Sequence, residues 1–317
     1  MRVLVTGVAG FIGMHCAKRL LERGDEVVGI DNLSPYYSVE LKKDRLAELK
    51  HARFSFAELD IASPDLLKEI FQAEQPNAVL HLAAQAGVRY SHENPAAYIQ
   101  ANLVGFANLL ECCRAHPPRH LLFASSSSVY GANRELPWSE TQNVDHPVSL
   151  YAATKKSNEL MAHAYSHLYG LAATGLRYFT VYGPWGRPDM SPMLFARAIM
   201  EGKPIQVFNR GDMQRDFTYV DDAVEATLRV LDKPAKYAIY NVGNHQPVAL
   251  VDYIAALERA LGKKAKLEMK PMQPGDVKAT YADTRALQKA VGFAPSTPLE
   301  KGLARFADWF KSYHRCA

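Results

Sequence analysis

The chain has 317 residues, roughly twice the usual single-domain length, so one large α/β unit with an appended lobe is expected. With 48% hydrophobic and 22% charged residues it has the composition of a globular protein. Its formal net charge of +4 is spread without a polybasic run, which suits an anionic small molecule and speaks against nucleic acid as a partner.

Short apolar runs alternate with longer segments of helical period, the pattern of βαβ units on a parallel sheet. The first strand, Arg2–Thr6, leads into Thr6-Gly7-Val8-Ala9-Gly10-Phe11-Ile12-Gly13 and then a helix over Phe11–Arg23. Glycines allow a tight turn and a close backbone approach to a pyrophosphate, which the helix then meets with free N–H groups and its positive dipole end. Glycines also serve plain turns, but the strand–turn–helix context is the one that identifies a dinucleotide site.

The second strand, Glu26–Ile30, runs into Asp31, whose carboxylate is suited to the adenosine ribose hydroxyls and would repel a 2′-phosphate. No arginine follows in Asn32-Leu33-Ser34, so NAD is favoured over NADP; the alternative for Asp31 is a solvated turn residue. After a helix at Val39–Lys50 and a strand at Arg53–Ala57, Asp60-Ile61 either holds the adenine edge or belongs to the cap region of the helix Pro64–Glu74. A fourth strand, Ala78–His81, precedes a helix predicted over Pro95–Ala115.

The fifth strand, His120–Ala124, ends in Ser125-Ser126-Ser127-Ser128, at the sheet edge where ligands gather. A serine hydroxyl there can orient a substrate oxygen, or the run simply caps the strand. The helix Leu150–Tyr169 opens with Tyr151-Ala152-Ala153-Thr154-Lys155, and a four-residue spacing puts phenol and ammonium on one face. A nearby cation stabilises the phenolate, so such a tyrosine can take a hydroxyl proton while hydride leaves the same carbon. Alone, such a pair is more often an ordinary helix-surface pair. A sixth strand, Ala172–Arg177, closes the series.

Beyond Tyr178 the texture changes, with Gly183-Pro184, Gly186, Pro188, Pro192 and Pro204. Residues 1–178 are expected to form the dinucleotide-binding domain and residues 179–317 mainly a second lobe, with a segment near 221–245 returning to the first. A cleft between the lobes, at the carboxyl ends of the strands, is the expected ligand site.

Together the TGxxGxxG motif, Asp31, the serines before Val129-Tyr130-Gly131 and Tyr151–Lys155 resemble the extended short-chain dehydrogenase/reductase family over essentially the whole chain. The resemblance implies a Rossmann-type doubly wound parallel sheet with a smaller C-terminal α/β lobe that binds a sugar nucleotide. It implies NAD contacts from Gly7, Gly10, Phe11, Ile12, Gly13, Asp31, Asn32, Asp60, Ile61, Leu82, Ala83, Ala84, Tyr151 and Lys155, with Tyr178 near the nicotinamide. It makes Tyr151 the base, Lys155 a ligand of the nicotinamide ribose and Ser126 the assisting hydroxyl, with Ser127 and Ser128 as adjacent alternatives.

Dehydratases of this family carry a Thr-Asp-Glu arrangement before Val-Tyr-Gly, and decarboxylases a glutamate. Here Ser127-Ser128 stand there instead, which implies oxidation and re-reduction at one carbon, an epimerisation. Segments Leu82–Tyr90 and Arg177–Met190 resemble those of epimerases acting on UDP-glucuronate. Arg187 suits a bidentate bond to a sugar carboxylate, assisted by Thr180, unless it pairs with Asp189. By the same resemblance Arg89 belongs to the substrate region, Arg215 to the UDP phosphates, Gln206 and Phe208 to the uracil, and Asp276 and Arg285 to weaker ribose and phosphate contacts. The rival readings are a UDP-glucose/UDP-galactose 4-epimerase and a non-catalytic NAD-binding sensor.

The four cysteines, Cys16, Cys112, Cys113 and Cys316, form no CxxC or Cys/His cluster, so reduced thiols and no metal are expected. No apolar stretch approaches the about 20 residues that cross a bilayer, and the first strand begins at once. A cytoplasmic protein without membrane contact is therefore expected. The resemblance further implies a homodimer through Pro95–Ala115 and Leu150–Tyr169, with intramolecular packing of their apolar faces as the alternative.

Overall fold

The parallel pattern follows from burial. In the computed structural model, which describes residues 1–272 and 278–316, Val3, Leu4 and Val5 of β1 (Arg2–Thr6) are all fully buried. Val3 and Val5 enter one core cluster and Leu4 another, because successive side chains point to opposite faces and both faces are covered. Each such side chain contributes about 1.5–3 kcal/mol relative to exposure.

Beside β1 stand β2 (Glu26–Asp31), β3 (Phe54–Glu58), β4 (Ala78–His81), β5 (His120–Ser126) and β6 (Ala173–Tyr178). Three strands, β7 (Thr180–Tyr182), β8 (Pro204–Val207) and β9 (Gln214–Tyr219), leave this sheet before β10 (Tyr237–Val242) rejoins it against β6. The seven-stranded order is β10-β6-β5-β4-β1-β2-β3, with every pairing parallel. The chain winds outward from β1 through β2 to β3, then restarts at β4 on the other side. That reversal opens a crevice at the carboxyl ends of β1 and β4.

The helices through residue 169 are α1 (Phe11–Glu22), α2 (Val39–Ala47), α3 (Pro64–Glu74), α4 (Tyr90–Glu93), α5 (Pro95–Tyr98), α6 (Gly105–Ala115) and α7 (Leu150–Tyr169). After β6 come α8 (Ser191–Glu201), α9 (Val220–Leu231), α10 (Leu250–Leu261), α11 (Arg285–Val291) and α12 (Leu299–His314). Helix α9 packs on α1, and its Thr227 shares a 2.7 Å hydrogen bond with the Tyr178 hydroxyl. The remaining strands form small sheets: β9 pairs with β7, β11 (Pro247–Ala249) and β13 (Ala279–Thr280), and β8 with β12 (Lys266–Met269).

Two expected helices differ. Pro95–Ala115 is not one α-helix: α5 and α6 are joined by a π-helical segment, Ile99–Val104. Buried Asn102 accepts the Gln85 N–H at 2.8 Å and donates to the Gln85 carbonyl at 3.0 Å and to Thr154 at 3.0 Å, so the wider turn aims an amide at the β4 loop. Helix α2 ends at Ala47, not Lys50.

Candidate active site

The crevice is a cleft of about 500 Å³. At its floor, Gly7 takes φ +73° directly after β1 and donates to the Ile30 carbonyl at 2.7 Å. A Cβ on Gly7 would stand 2.6 Å from the Ala83 nitrogen, and one on Gly10 2.9 Å from the Gly7 carbonyl oxygen. A Cβ on Gly13 would run into that same carbonyl. Only glycine lets β1, the β4 loop and the start of α1 come this close. Gly10 caps α1 without a side-chain bond, so the first-turn N–H groups are left for an anion. The backbone therefore fits a dinucleotide pyrophosphate.

Asp31 closes the end of β2. Its carboxylate accepts the N–H groups of Ala9 at 3.1 Å and Leu33 at 2.9 Å. Burial raises its pKa above the ordinary value, opposed first by the charge of Lys42. Lys42 is itself lowered by burial and donates to the Ser34 carbonyl at 2.8 Å. No arginine follows Asp31 immediately in sequence, yet the fold swings α2 back so that Lys42 lines the cleft with it. Nearby, Asn32 donates to Asp60 at 2.9 Å.

Strand β5 and helix α7 bring the reactive groups together. Ser126 ends β5 and Ser127 opens a single 3₁₀ turn; the Ser126 hydroxyl accepts the Ser128 N–H at 3.1 Å. Ser149 caps α7 by accepting the Ala152 N–H at 3.1 Å, which starts the helix at Leu150, one residue before Tyr151. Of the serine run, Ser126 is the one whose side chain lowers the Tyr151 pKa, while Ser125 turns away and donates to Glu159 at 2.6 Å.

Lys155 donates to the Ala124 carbonyl at 2.9 Å, and burial brings its pKa down to about 8. Burial raises Tyr151, and the influences that oppose it are the Ser126 hydrogen bond and the charge of Arg187. The phenol expected to be lowered is therefore held above its ordinary value in this protein, burial outweighing the opposing influences of Ser126 and Arg187.

Arg187 reaches the same cleft from the loop after β7. Its Nε donates to Asp189 at 3.1 Å and its Nη2 at 2.5 Å, and Tyr36 donates to the same carboxylate at 3.0 Å. Burial works against the Arg187 charge, but Asp189 holds its pKa above the ordinary arginine value.

The cleft lining gathers Gly7, Gly10, Phe11, Ile12, Gly13, Asp31, Asn32, Asp60, Ile61, Leu82, Ala83, Ala84, Ser126, Ser127, Ser128, Tyr151, Lys155, Tyr178, Thr180 and Arg187. Other predicted residues stand outside that lining. Arg89 lies over the Phe208 ring at 5.3 Å, Gln206 is exposed on β8, and Arg215 on β9 donates to the carbonyls of Gln214 at 2.8 Å and Lys278 at 3.3 Å. Arg285 is exposed and pairs with Asp283 at 2.6 Å. Asp276 lies outside the described residues. Sequence reasoning missed Lys42, Tyr36 and Met190, which also line the cleft; the nearest signal was Tyr36-Tyr37, aromatic residues just past Asp31. Among the described residues no cluster of three or more His, Cys, Asp or Glu could hold a metal, and no helix is long and apolar enough to cross a membrane.

Residues 3–243 match the model of the NAD dependent epimerase/dehydratase family. The chain is 50% identical to Protein CapI of Staphylococcus aureus, covering 99% of this chain and 100% of that protein. It is 46% identical to UDP-glucuronate 4-epimerase 2 of Arabidopsis thaliana, covering 99% of this chain and 76% of that protein. A crystal structure of UDP-glucuronic acid 4-epimerase from Bacillus cereus, in complex with UDP-glucuronic acid and NAD, superposes with a TM-score of 0.93 at 34% identity, covering 99% of this chain and 100% of that one.

Proposed function

Since the chain belongs to the NAD dependent epimerase/dehydratase family, we propose that it interconverts UDP-glucuronate and UDP-galacturonate at C4 through a transient 4-keto sugar. The observation that carries this reading is one cleft lined together by Tyr151, Ser126, Lys155 and Arg187. NAD, held by the glycine loop and Asp31, would supply a hydride acceptor that also returns the hydride.

The Tyr151 oxygen takes the proton of the C4 hydroxyl as the C4 hydride departs, and Ser126 orients that hydroxyl. Lys155 would hold the nicotinamide ribose. When the 4-keto sugar has turned over, the opposite face of C4 takes the hydride back and Tyr151 returns the proton to the C4 oxygen. A 4-keto uronate is a β-keto acid and can lose carbon dioxide. Arg187 and Thr180 hold the carboxylate out of the alignment that this loss requires. Ser127 and Ser128 offer no acid to expel a hydroxyl, which favours epimerisation over dehydration. Arg215 serves the UDP phosphates, Phe208 with Gln206 the uracil, and Arg89 stacked on Phe208 borders that site.

The protein works as a cytoplasmic homodimer. Four free cysteines support the compartment, and Leu160 and Leu168, 58% and 65% exposed on α7, support pairing through α6 and α7.

Incubation of the purified protein with UDP-glucuronate, followed by anion-exchange chromatography, tests the assignment. A mixture of the two uronates is expected, with no UDP-pentose. Conversion of UDP-glucose to UDP-galactose with UDP-glucuronate untouched would sink it.

A further inference from the structure

Arg45 is among the largest fully buried side chains; it does not itself line the cleft, and none of its hydrogen bonds goes to a carboxylate. Its Nη1 donates to the Ala9 carbonyl at 3.0 Å and to the Tyr37 hydroxyl at 2.7 Å. Its Nε donates to the Trp185 carbonyl at 3.1 Å, and its Nη2 to Trp185 at 2.7 Å and Gly186 at 3.1 Å. A buried guanidinium is tolerated only when its donors are met, and here backbone carbonyls meet them.

Those carbonyls belong to two different working parts. Ala9 lies inside the glycine loop, between Gly7 and Gly10; Trp185 and Gly186 directly precede Arg187. Trp185 holds φ +63°, a left-handed conformation that a tryptophan leaves unless its surroundings impose it. Arg45 takes that residue's carbonyl in two bonds. His15 of α1 adds a 3.0 Å bond to the Pro184 carbonyl, and the Trp185 ring packs on Trp309 and Tyr313 of α12. The turn that launches Arg187 is thus bolted to the glycine loop from below and to α12 on its outer side.

We propose that Arg45 is a positioning residue for substrate selection: by holding the Trp185 turn against the glycine loop, it sets Arg187 where it can take a sugar carboxylate beside Tyr151. This rests on the reading of Arg187 given above. Loss of the staple lets the Trp185 turn relax to an ordinary conformation, and a shift of about 1 Å at a charge-assisted contact is enough to weaken it. The sugar hydroxyls and the UDP moiety do not depend on that turn, so the loss should fall on the acid group.

The test uses NAD-loaded protein carrying Tyr151→Phe, which blocks turnover, and titrates UDP-glucuronate and UDP-glucose by calorimetry. Adding Arg45→Met should weaken UDP-glucuronate about tenfold more than UDP-glucose, a differential of about 1.4 kcal/mol. NAD content should stay at the parent level. Arg45→Lys keeps the charge but makes fewer bonds, so it should restore part of the preference; it also carries the test should Arg45→Met not fold. Equal weakening of both ligands, loss of NAD in step with loss of binding, or no change would overturn the proposal while leaving the function intact. A Tyr151→Phe parent that binds UDP-glucuronate no better than UDP-glucose would overturn the reading of Arg187, and this proposal with it.

Discussion

Glu159 and Arg177 form a two-pronged ion pair, both bonds 2.8 Å long, sealed behind the reactive serine and tyrosine. Glu159 lies one helical turn beyond Lys155 on α7, and Arg177 is the β6 residue before Tyr178. The same carboxylate accepts the Ser125 hydroxyl, and the guanidinium lies 4.9 Å over the Tyr130 ring. The pair therefore fixes α7 against β5 and β6. Removing one member leaves an uncompensated buried charge, so Glu159→Ala should cost about 3–5 kcal/mol in denaturant unfolding. Replacing both by apolar residues of similar size should cost clearly less; an equal loss would show that the pair is not what holds the helix.

Turnover should collapse in Tyr151→Phe, by about 10²–10⁴ in kcat, since the ring stays and only the proton carrier goes. Bound NAD, measured after denaturation, should remain near stoichiometric. A kcat within a few-fold of the parent would remove Tyr151 from the mechanism.

Burial sets the alkaline limb of the pH profile. A lysine in water keeps its proton to about 10.5, but Lys155 releases it near 8. As pH rises through that value the positive charge beside the phenol and the nicotinamide ribose is lost, so kcat/KM should fall above about pH 8. In Lys155→Arg the charge persists. Its activity will be lower, but its alkaline limb should move up by at least about one pH unit; an unmoved limb would assign it to another group.

Arg187→Ala should either abolish handling of the acid or release a larger share of carbon dioxide and UDP-pentose, because the carboxylate is no longer held. Chromatography of the products with trapped carbon dioxide gives the ratio. Unchanged conversion of UDP-glucuronate would count against the carboxylate clamp.

Thr6 offers a stability test at the cofactor end. Its hydroxyl meets His81 Nδ1 at 2.7 Å and accepts the Ala83 N–H at 3.2 Å, with His81 buried and its pKa pushed down to about 3 chiefly by desolvation. Thr6→Val keeps the shape and leaves both partners unmet, so a loss of about 1–3 kcal/mol is expected in chemical denaturation. No shift in the midpoint would mean that His81 finds another partner.

What could be read from the chain alone is what depends on near neighbours. Apolar strands, the glycine turn into α1, the Ser149 cap and the four-residue step from Tyr151 to Lys155 are local consequences of backbone and period. Tertiary structure alone decided what depends on distant segments meeting. It placed Lys42 beside Asp31, broke the 95–115 helix so that Asn102 could reach Gln85, turned Ser125 away to Glu159, and joined Arg45 to Trp185, 140 residues on. A buried cation bonded to remote carbonyls looks, in sequence, like any helix-surface arginine, because apart from the Tyr37 hydroxyl its partners are backbone atoms that carry no residue signature.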